Sequence, residues 1–307
     1  MAENILVIKH GALGDVVLAQ GPFQAIRAAH PNAKITLLTT KPFRSFLQGA
    51  GLFDEIWIDE KPKIWNLGQL ARLKSKLRAG DFARVYDLQT SSRSSSYLKL
   101  FGSPKPEWSG VAKGCSHPHA NKERGRLHTL ERQAEQLKGA GIQAIPPVDF
   151  SWAASDISTF PLAKEFALLV PGGSAHRPEK RWPAARYADL ANELAAKSVQ
   201  PVLLGGSAEA DVIDVIMAQC EGALNLSGKT SLEDIVSLSG KAKFAIGNDT
   251  GPLHLIAAVG CPVTVLFSAA SDPARARPRG PSVTVLREQM LEDLSFERVV
   301  ETLKLLD

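Results

Sequence analysis

The chain has 307 residues, 44% of them hydrophobic and 22% charged, with a formal net charge of +4; one hydrophobic core seldom serves so long a chain, so two domains of roughly 150 residues each are predicted. The composition excludes a disordered or fibrous chain, and the longest apolar runs, 166–170 and 263–267, fall far short of the ~20 residues that cross a bilayer. Three scattered cysteines, Cys115, Cys220 and Cys261, form neither a zinc pattern nor an even disulfide set and suit a reducing, cytoplasmic setting.

The run 5–8, between Glu3 and Lys9, reads as a strand rather than a secretory signal. A glycine-bearing turn over 9–14 follows, then a helical pattern over 16–29 closed by Pro31 and Asn32. Residues 34–40, 55–58 and 84–88 read as strands, with a basic helical stretch at 67–77. Residues 101–126 are rich in Gly, Pro, Lys and His without periodicity and are expected to be long loops, and 127–139 returns to helix. Prolines at 146, 147 and 161 mark a linker over 143–161.

The rhythm then repeats: strand 166–170, a tight loop 171–174, helix 184–197, strand 201–204 and a second glycine turn at Gly205 and Gly206. Thr230 and Glu233 are spaced as a capping box for a helix through 238. Strands at 244–246 and 263–267 are expected to complete the second sheet, and 292–306 a terminal helix. Strands alternating with helices imply parallel, doubly wound sheets. The expected architecture is therefore α/β, two Rossmann-like domains over 1–155 and 156–307 facing across a cleft, with the last helix able to pack back on the first domain. Ligands bind such sheets beyond the C-terminal ends of the strands.

The first loop, KHGALGD over 9–15, has glycine spacing unlike the GxGxxG of a dinucleotide site, and no acidic ribose partner stands at the usual distance. A nicotinamide dehydrogenase is therefore disfavoured. An aspartate at a helix mouth is stabilised by the free amides and the dipole, and repels phosphate. In a cleft Asp15 can take a proton from an incoming hydroxyl; the alternative, that it caps its own helix, carries equal weight on residue chemistry alone. Phosphate chemistry fits the second half better, where Gly172, Gly173 and Ser174 offer amides and Lys180 a cation, although a solvated basic loop explains the same residues. In GNDTGPLH over 247–254, Gly251 allows close backbone approach, Thr250 offers a hydroxyl and Asp249 can accept from sugar hydroxyls. His254 is a candidate phosphate partner, but by itself reads more readily as a buried structural histidine. No second carboxylate or histidine at a matching spacing points to a metal.

The opening over 5–20, the PGGS…KRWP stretch over 171–183, the GGS turn within 203–207 and GNDTGPLHLIAA over 247–258 together resemble glycosyltransferase family 9, the heptosyltransferases. The resemblance spans nearly the whole chain. It implies a GT-B fold and metal-independent, inverting transfer of a heptose from ADP-heptose to the lipopolysaccharide inner core, with the ADP-sugar as substrate and no cofactor. It assigns Asp15 as base, with Lys9 and Gly14 on the acceptor side. Lys180 becomes a donor phosphate ligand, and Asp249, Thr250 and Gly251 the donor loop. Ser174 and His254 join that donor set, with Gly172, Gly173, Gly206 and Glu209 as secondary candidates.

One departure is that SAASDP over 268–273 stands where the family commonly has a Gly-Pro-Thr-Asp-Pro-like turn. The expected partners are a nucleotide sugar and an anionic glycolipid, without nucleic acid, for a monomer in the cytoplasm that contacts the inner membrane face. The basic lean of the first half, with Arg72, Lys74 and Lys76 in its helix, would serve that contact, although such runs are usually solvated helix faces. The alternatives are a GT-B transferase using another nucleotide sugar and a non-catalytic sugar-nucleotide-binding relative; both Asp15 and Asp249 being present argues against the latter.

Overall fold

A computed structural model of the protein describes residues 3–63, 65–173 and 178–303. Its chain divides into two compact units, Met1–Asp149 and Phe150–Asp307.

In the first unit, strands β1 (Asn4–Ile8), β2 (Lys34–Thr39), β3 (Glu55–Ile58), β4 (Arg84–Asp87), β5 (Glu107–Gly110) and β6 (His117–Pro118) form one parallel sheet in the order β3-β2-β1-β4-β5-β6. Helices α1 (Leu13–Leu18), α2 (Gln20–Ala29), α3 (Arg44–Gly49), α4 (Leu67–Ala79), α5 (Ser92–Ser96) and α6 (Thr129–Gly139) connect them. β1 is central, and Ile5 to Ile8 are wholly buried. That is why its sequence is continuously apolar instead of alternating. Leu6 and Ile8 join Leu73 and Leu77 of α4, Val85 and Trp108 in one core cluster.

The second unit repeats the plan with β7 (Phe166–Val170), β8 (Gln200–Leu203), β9 (Leu224–Asn225), β10 (Ala245–Asn248), β11 (Val263–Phe267) and β12 (Val283–Arg287), ordered β12-β11-β10-β7-β8-β9 and again all parallel. Its helices are α7 (Ala184–Ala196), α8 (Ala210–Gln219), α9 (Leu232–Ser239), α10 (Gly251–Val259), α11 (Pro273–Ala276) and α12 (Phe296–Leu303). α12 packs on α7, and Val299 and Leu303 enter the core of this unit. Counted from its own first strand, each sheet has the order 3-2-1-4-5-6. Each therefore has its topological switch point between its first and fourth strands, β1/β4 and β7/β10.

Several local expectations are corrected. The helix expected over 16–29 is two helices meeting at Ala19, because Pro22 has no N–H to continue the ladder. Residues 101–126 are not only loops: β5 and β6 lie there, held by pairing to β4 and by burial of Trp108, which periodicity cannot detect in four- and two-residue strands. The second sheet does not end at β11, since β12 pairs along its full length with it. The capping box over 230–233 is displaced by one residue: Ser231 caps α9 and exchanges bonds with Asp234. α10 begins at Gly251, inside the GNDTGPLH motif itself. The terminal helix is described from Phe296 to Leu303; the expected residues 304–306 lie outside the described residues.

Candidate functional site

At the switch point of the first sheet β1 delivers Lys9 into the interior, where it is 3% exposed. Its backbone N–H donates to Leu38 across the end of β2 (3.0 Å). Its Nζ lies 3.4 Å from the Leu88 carbonyl and 3.6 Å from Oδ1 of Asp15. Burial holds the Lys9 ammonium below the usual lysine range, and the Asp15 charge acts against that shift. Asp15 stands in the first turn of α1 with 41% of its side chain exposed. The N-cap of α1 is Ala12, without a side-chain cap bond, so Asp15 does not occupy the capping position. Gly14 is buried beside it in the same turn. The result is an accessible carboxylate tethered to a buried cation at a helix N-terminus, a group able to accept a proton from a hydroxyl brought to its open side.

The loop carrying these two residues is pinned at His10, which sequence reasoning passed over. His10 N–H donates to Gln89 Oε1 (2.9 Å), its carbonyl accepts from Thr40 Oγ1 (2.6 Å), and its Nε2 lies 2.8 Å from Oδ2 of Asp59. Asp59, buried just after β3, also accepts from the Tyr97 hydroxyl at 2.6 Å. Burial alone would raise the Asp59 pKa; the bonds from His10 and Tyr97 outweigh it and hold the carboxyl below its usual range.

A second unforeseen group is Asp87, the last residue of β4. It is fully buried, accepts from Thr90 N–H at 2.9 Å and lies 3.4 Å from the Ser95 hydroxyl. Burial pushes its pKa up to about 6. The signal available was a charged residue closing an apolar strand, RVYD. Arg124, from the stretch without a sequence pattern, reaches the same edge and donates to Thr90 Oγ1 at 3.1 Å.

In the second unit the structure brings together residues far apart in sequence. Lys180 Nζ and Asp249 Oδ2 are 2.8 Å apart, each with 12% side-chain exposure. Asn248, the last residue of β10, organises the surrounding loops. Its amide donates to the carbonyls of Pro171 (2.8 Å) and Gly172 (3.0 Å) and its oxygen accepts from Trp182 N–H and the Tyr187 hydroxyl, both at 3.1 Å. One buried side chain thereby ties the glycine loop after β7 and the KRWP segment to the end of β10. Gly247 must be glycine, because a Cβ there would overlap the Val170 carbonyl of β7.

Glu209 lies against the glycine loop: a Cβ on Gly172 would come within 2.9 Å of its Cγ, and its Oε2 accepts from Gly206 N–H at 2.8 Å. Gly172, Gly206 and Glu209 therefore share one edge. Gly173 lies beside Arg181, which donates to its carbonyl at 2.8 Å. Thr250 is the N-cap of α10 but makes no side-chain cap bond, and Gly251 opens the helix, so hydroxyl and amides meet at one helix N-terminus. His254 lies one turn further along and is buried (7%). Ser174 lies outside the described residues. Among the described residues no group of three or more His, Cys, Asp or Glu side chains is placed to hold a metal ion.

The family model described as glycosyltransferase family 9 (heptosyltransferase) matches residues 70–304. The chain belongs to this family. Lipopolysaccharide heptosyltransferase 2 of Escherichia coli (strain K12) is 26% identical over 343 residues, covering 99% of this chain and 98% of that one. The structure of E. coli ADP-heptose lps heptosyltransferase II superposes with a TM-score of 0.79 at 25% identity, covering 99% of this chain and 98% of that chain. A family 9 glycosyl transferase from Veillonella parvula DSM 2008 gives a TM-score of 0.85 at 21% identity, over 99% and 97%. This family 9 protein is thus a heptosyltransferase-type glycosyltransferase with the GT-B pair of doubly wound units. Among its described residues no helix is long and apolar enough to cross a membrane.

Proposed function

We propose that this enzyme transfers a heptose from ADP-heptose to a lipopolysaccharide inner-core acceptor with inversion at the anomeric carbon, Asp15 being the general base. The observation that carries the reading is the contrast between the two Lys–Asp pairs. Asp15 is open to an approaching hydroxyl, whereas Lys180 and Asp249 form a tight pair beside amide-rich glycine loops. The names of the relatives support the donor and the acceptor.

In the proposed step an acceptor hydroxyl gives its proton to Asp15 as its oxygen forms the new bond to the anomeric carbon. The bond from that carbon to the β-phosphate oxygen breaks on the opposite face, and its electron pair leaves with ADP. Lys180, the backbone amides of Gly172, Gly173 and Gly251 and the N-terminus of α10 meet the charge that develops on the pyrophosphate. Asp249, released from Lys180, accepts from donor sugar hydroxyls, and Thr250 and Gly206 line the same pocket with Glu209. Lys9 holds the Asp15 carboxylate oriented, and Gly14 leaves its turn without a side chain beside the acceptor. The enzyme works as a monomer on the cytoplasmic side of the membrane, where the lipid-borne acceptor is presented.

The test is product formation. Incubation with ADP-heptose and an inner-core acceptor should add one heptose by mass, with inverted anomeric configuration by NMR. ADP at 100 times its Kd should stabilise the fold by about 2.7 kcal/mol, and UDP should not. No heptosylated product with any ADP-heptose epimer, or equal stabilisation by UDP, would refute the donor assignment.

A further inference from the structure

Two large apolar side chains are almost fully exposed within three residues of each other: Trp65 at 73% and Leu67 at 72%. They sit where the chain leaves β3 and enters α4, with Leu67 the first residue of that helix. The sequence around them is one-sided in charge. Between residues 61 and 80 stand Lys61, Lys63, Arg72, Lys74, Lys76 and Arg78 without a single Asp or Glu. Lys61, Lys63, Arg72 and Lys74 are exposed, and among the described residues none of the four has a carboxylate within ion-pair distance. The Lys63 ammonium lies 5.3 Å from the Trp65 ring centroid. α4 uses Leu73 and Leu77 to join the core, so burial explains its inner stripe and leaves Trp65 and Leu67 without a folding role.

We propose that Trp65, Leu67 and the surrounding cations dock the enzyme on an anionic phospholipid bilayer. A tryptophan settles at the headgroup level, a leucine enters the acyl boundary, and lysines on the same surface are drawn to anionic lipid. Each cation near such a surface contributes about a fivefold gain in partitioning. The patch leaves the C-terminal end of β3, the same edge of the parallel sheet at which β1 delivers the loop of Lys9 and Asp15. Docking there brings the membrane to the edge that carries the base. The inference rests on the proposed lipid-borne acceptor for its purpose, but not for its test.

The experiment is co-sedimentation of the full chain with vesicles of phosphatidylglycerol and phosphatidylcholine, against phosphatidylcholine alone. The native chain should bind the anionic vesicles at least about tenfold more tightly, and the difference should shrink as salt rises. A Trp65→Ser, Leu67→Ser double variant, which keeps every charge, should lose about tenfold of that binding, as should a Lys61→Gln, Lys63→Gln, Lys74→Gln triple variant. All these side chains are exposed, so both variants should melt with the native chain. If a delipidated acceptor is a substrate, the Ser variant should use it as the native chain does. Failure on every acceptor would refute the proposed function and leave the vesicle result standing. Equal binding to neutral and anionic vesicles, or undiminished binding by the Ser variant, would overturn the docking proposal. So would tighter binding to a single-stranded oligonucleotide that is lost in the same variants, which would assign the patch to nucleic acid.

Discussion

The two halves share one strand order and end the fourth strand of each sheet on a fully buried polar residue, Asp87 in the first and Asn248 in the second. They use that position in opposite ways. Asn248 donates twice and accepts twice, so every polar atom of its side chain binds a loop. Asp87, as a carboxylate, only accepts, and it remains a titratable group with a pKa near 6. The Lys–Asp pairs differ in the same sense. In the second half lysine and acid are equally buried and closely paired; in the first the lysine is buried and the acid half open. One half fixes its loops through a fully paired buried amide, and the other keeps a carboxylate accessible.

The contrast breaks most clearly at Asp15. Asp15→Asn should lower kcat by about a thousandfold, within the range for a general base, and leave the Kd for ADP unchanged by calorimetry. A near-native kcat would place the base elsewhere. Next in size, Lys180→Ala should lower kcat/KM by roughly a hundredfold, the scale of one lost group that stabilises transition-state charge. Asp249→Asn separates the pair: Lys180, no longer neutralised, should bind ADP alone several-fold more tightly while heptose transfer falls. Unchanged ADP affinity would mean that the pair does not compete with the donor.

Asp87 sharpens the comparison through pH. Its folded-state pKa of about 6 lies above the unfolded value of 3.8. The stability it contributes is therefore fully present below about pH 4 and is lost as pH rises through about 6. The loss amounts to about 3 kcal/mol at neutral pH. Asp87→Asn should match the native chain in urea unfolding near pH 4 and exceed it by that order near pH 7.5. Parallel stability curves would show that the carboxyl is better solvated than its burial indicates. A smaller stability effect than that of Asp87 is expected at Asn248. Asn248→Ala leaves two donors and two carbonyls to find new partners, costs about 2 kcal/mol and should lower Tm by roughly 4–8 °C in a unit of this size. It should also raise the KM for the donor more than it lowers kcat, because the glycine loop loses its anchor.

Much of this organisation is legible in the sequence. Continuous apolar runs at β1, β7 and β11, each followed by a loop rich in small or polar residues, reflect strands covered on both faces, where no alternation is needed. Glycine loops are local chemistry, so single residues announce them, whereas α1 at Leu13 and α10 at Gly251 begin earlier than the apolar pattern alone indicates. The short strands β5, β6 and β9 are not announced, because their pairing with neighbouring strands decides them more than any pattern of their own. Ser231 rather than Thr230 capping α9 is a choice between adjacent hydroxyls that only the turn geometry makes.

The sequence by itself determined the repeated strand-loop-helix plan, the two candidate acids and the glycine loops of the second half, because each depends on residues within a few positions of one another. Tertiary structure decided the Lys180–Asp249 pair across 69 positions, the anchoring of His10 by Asp59, the elevated pKa of Asp87 and the burial of His254. These depend on which distant groups share a low-dielectric interior, and that is fixed only when the sheets assemble.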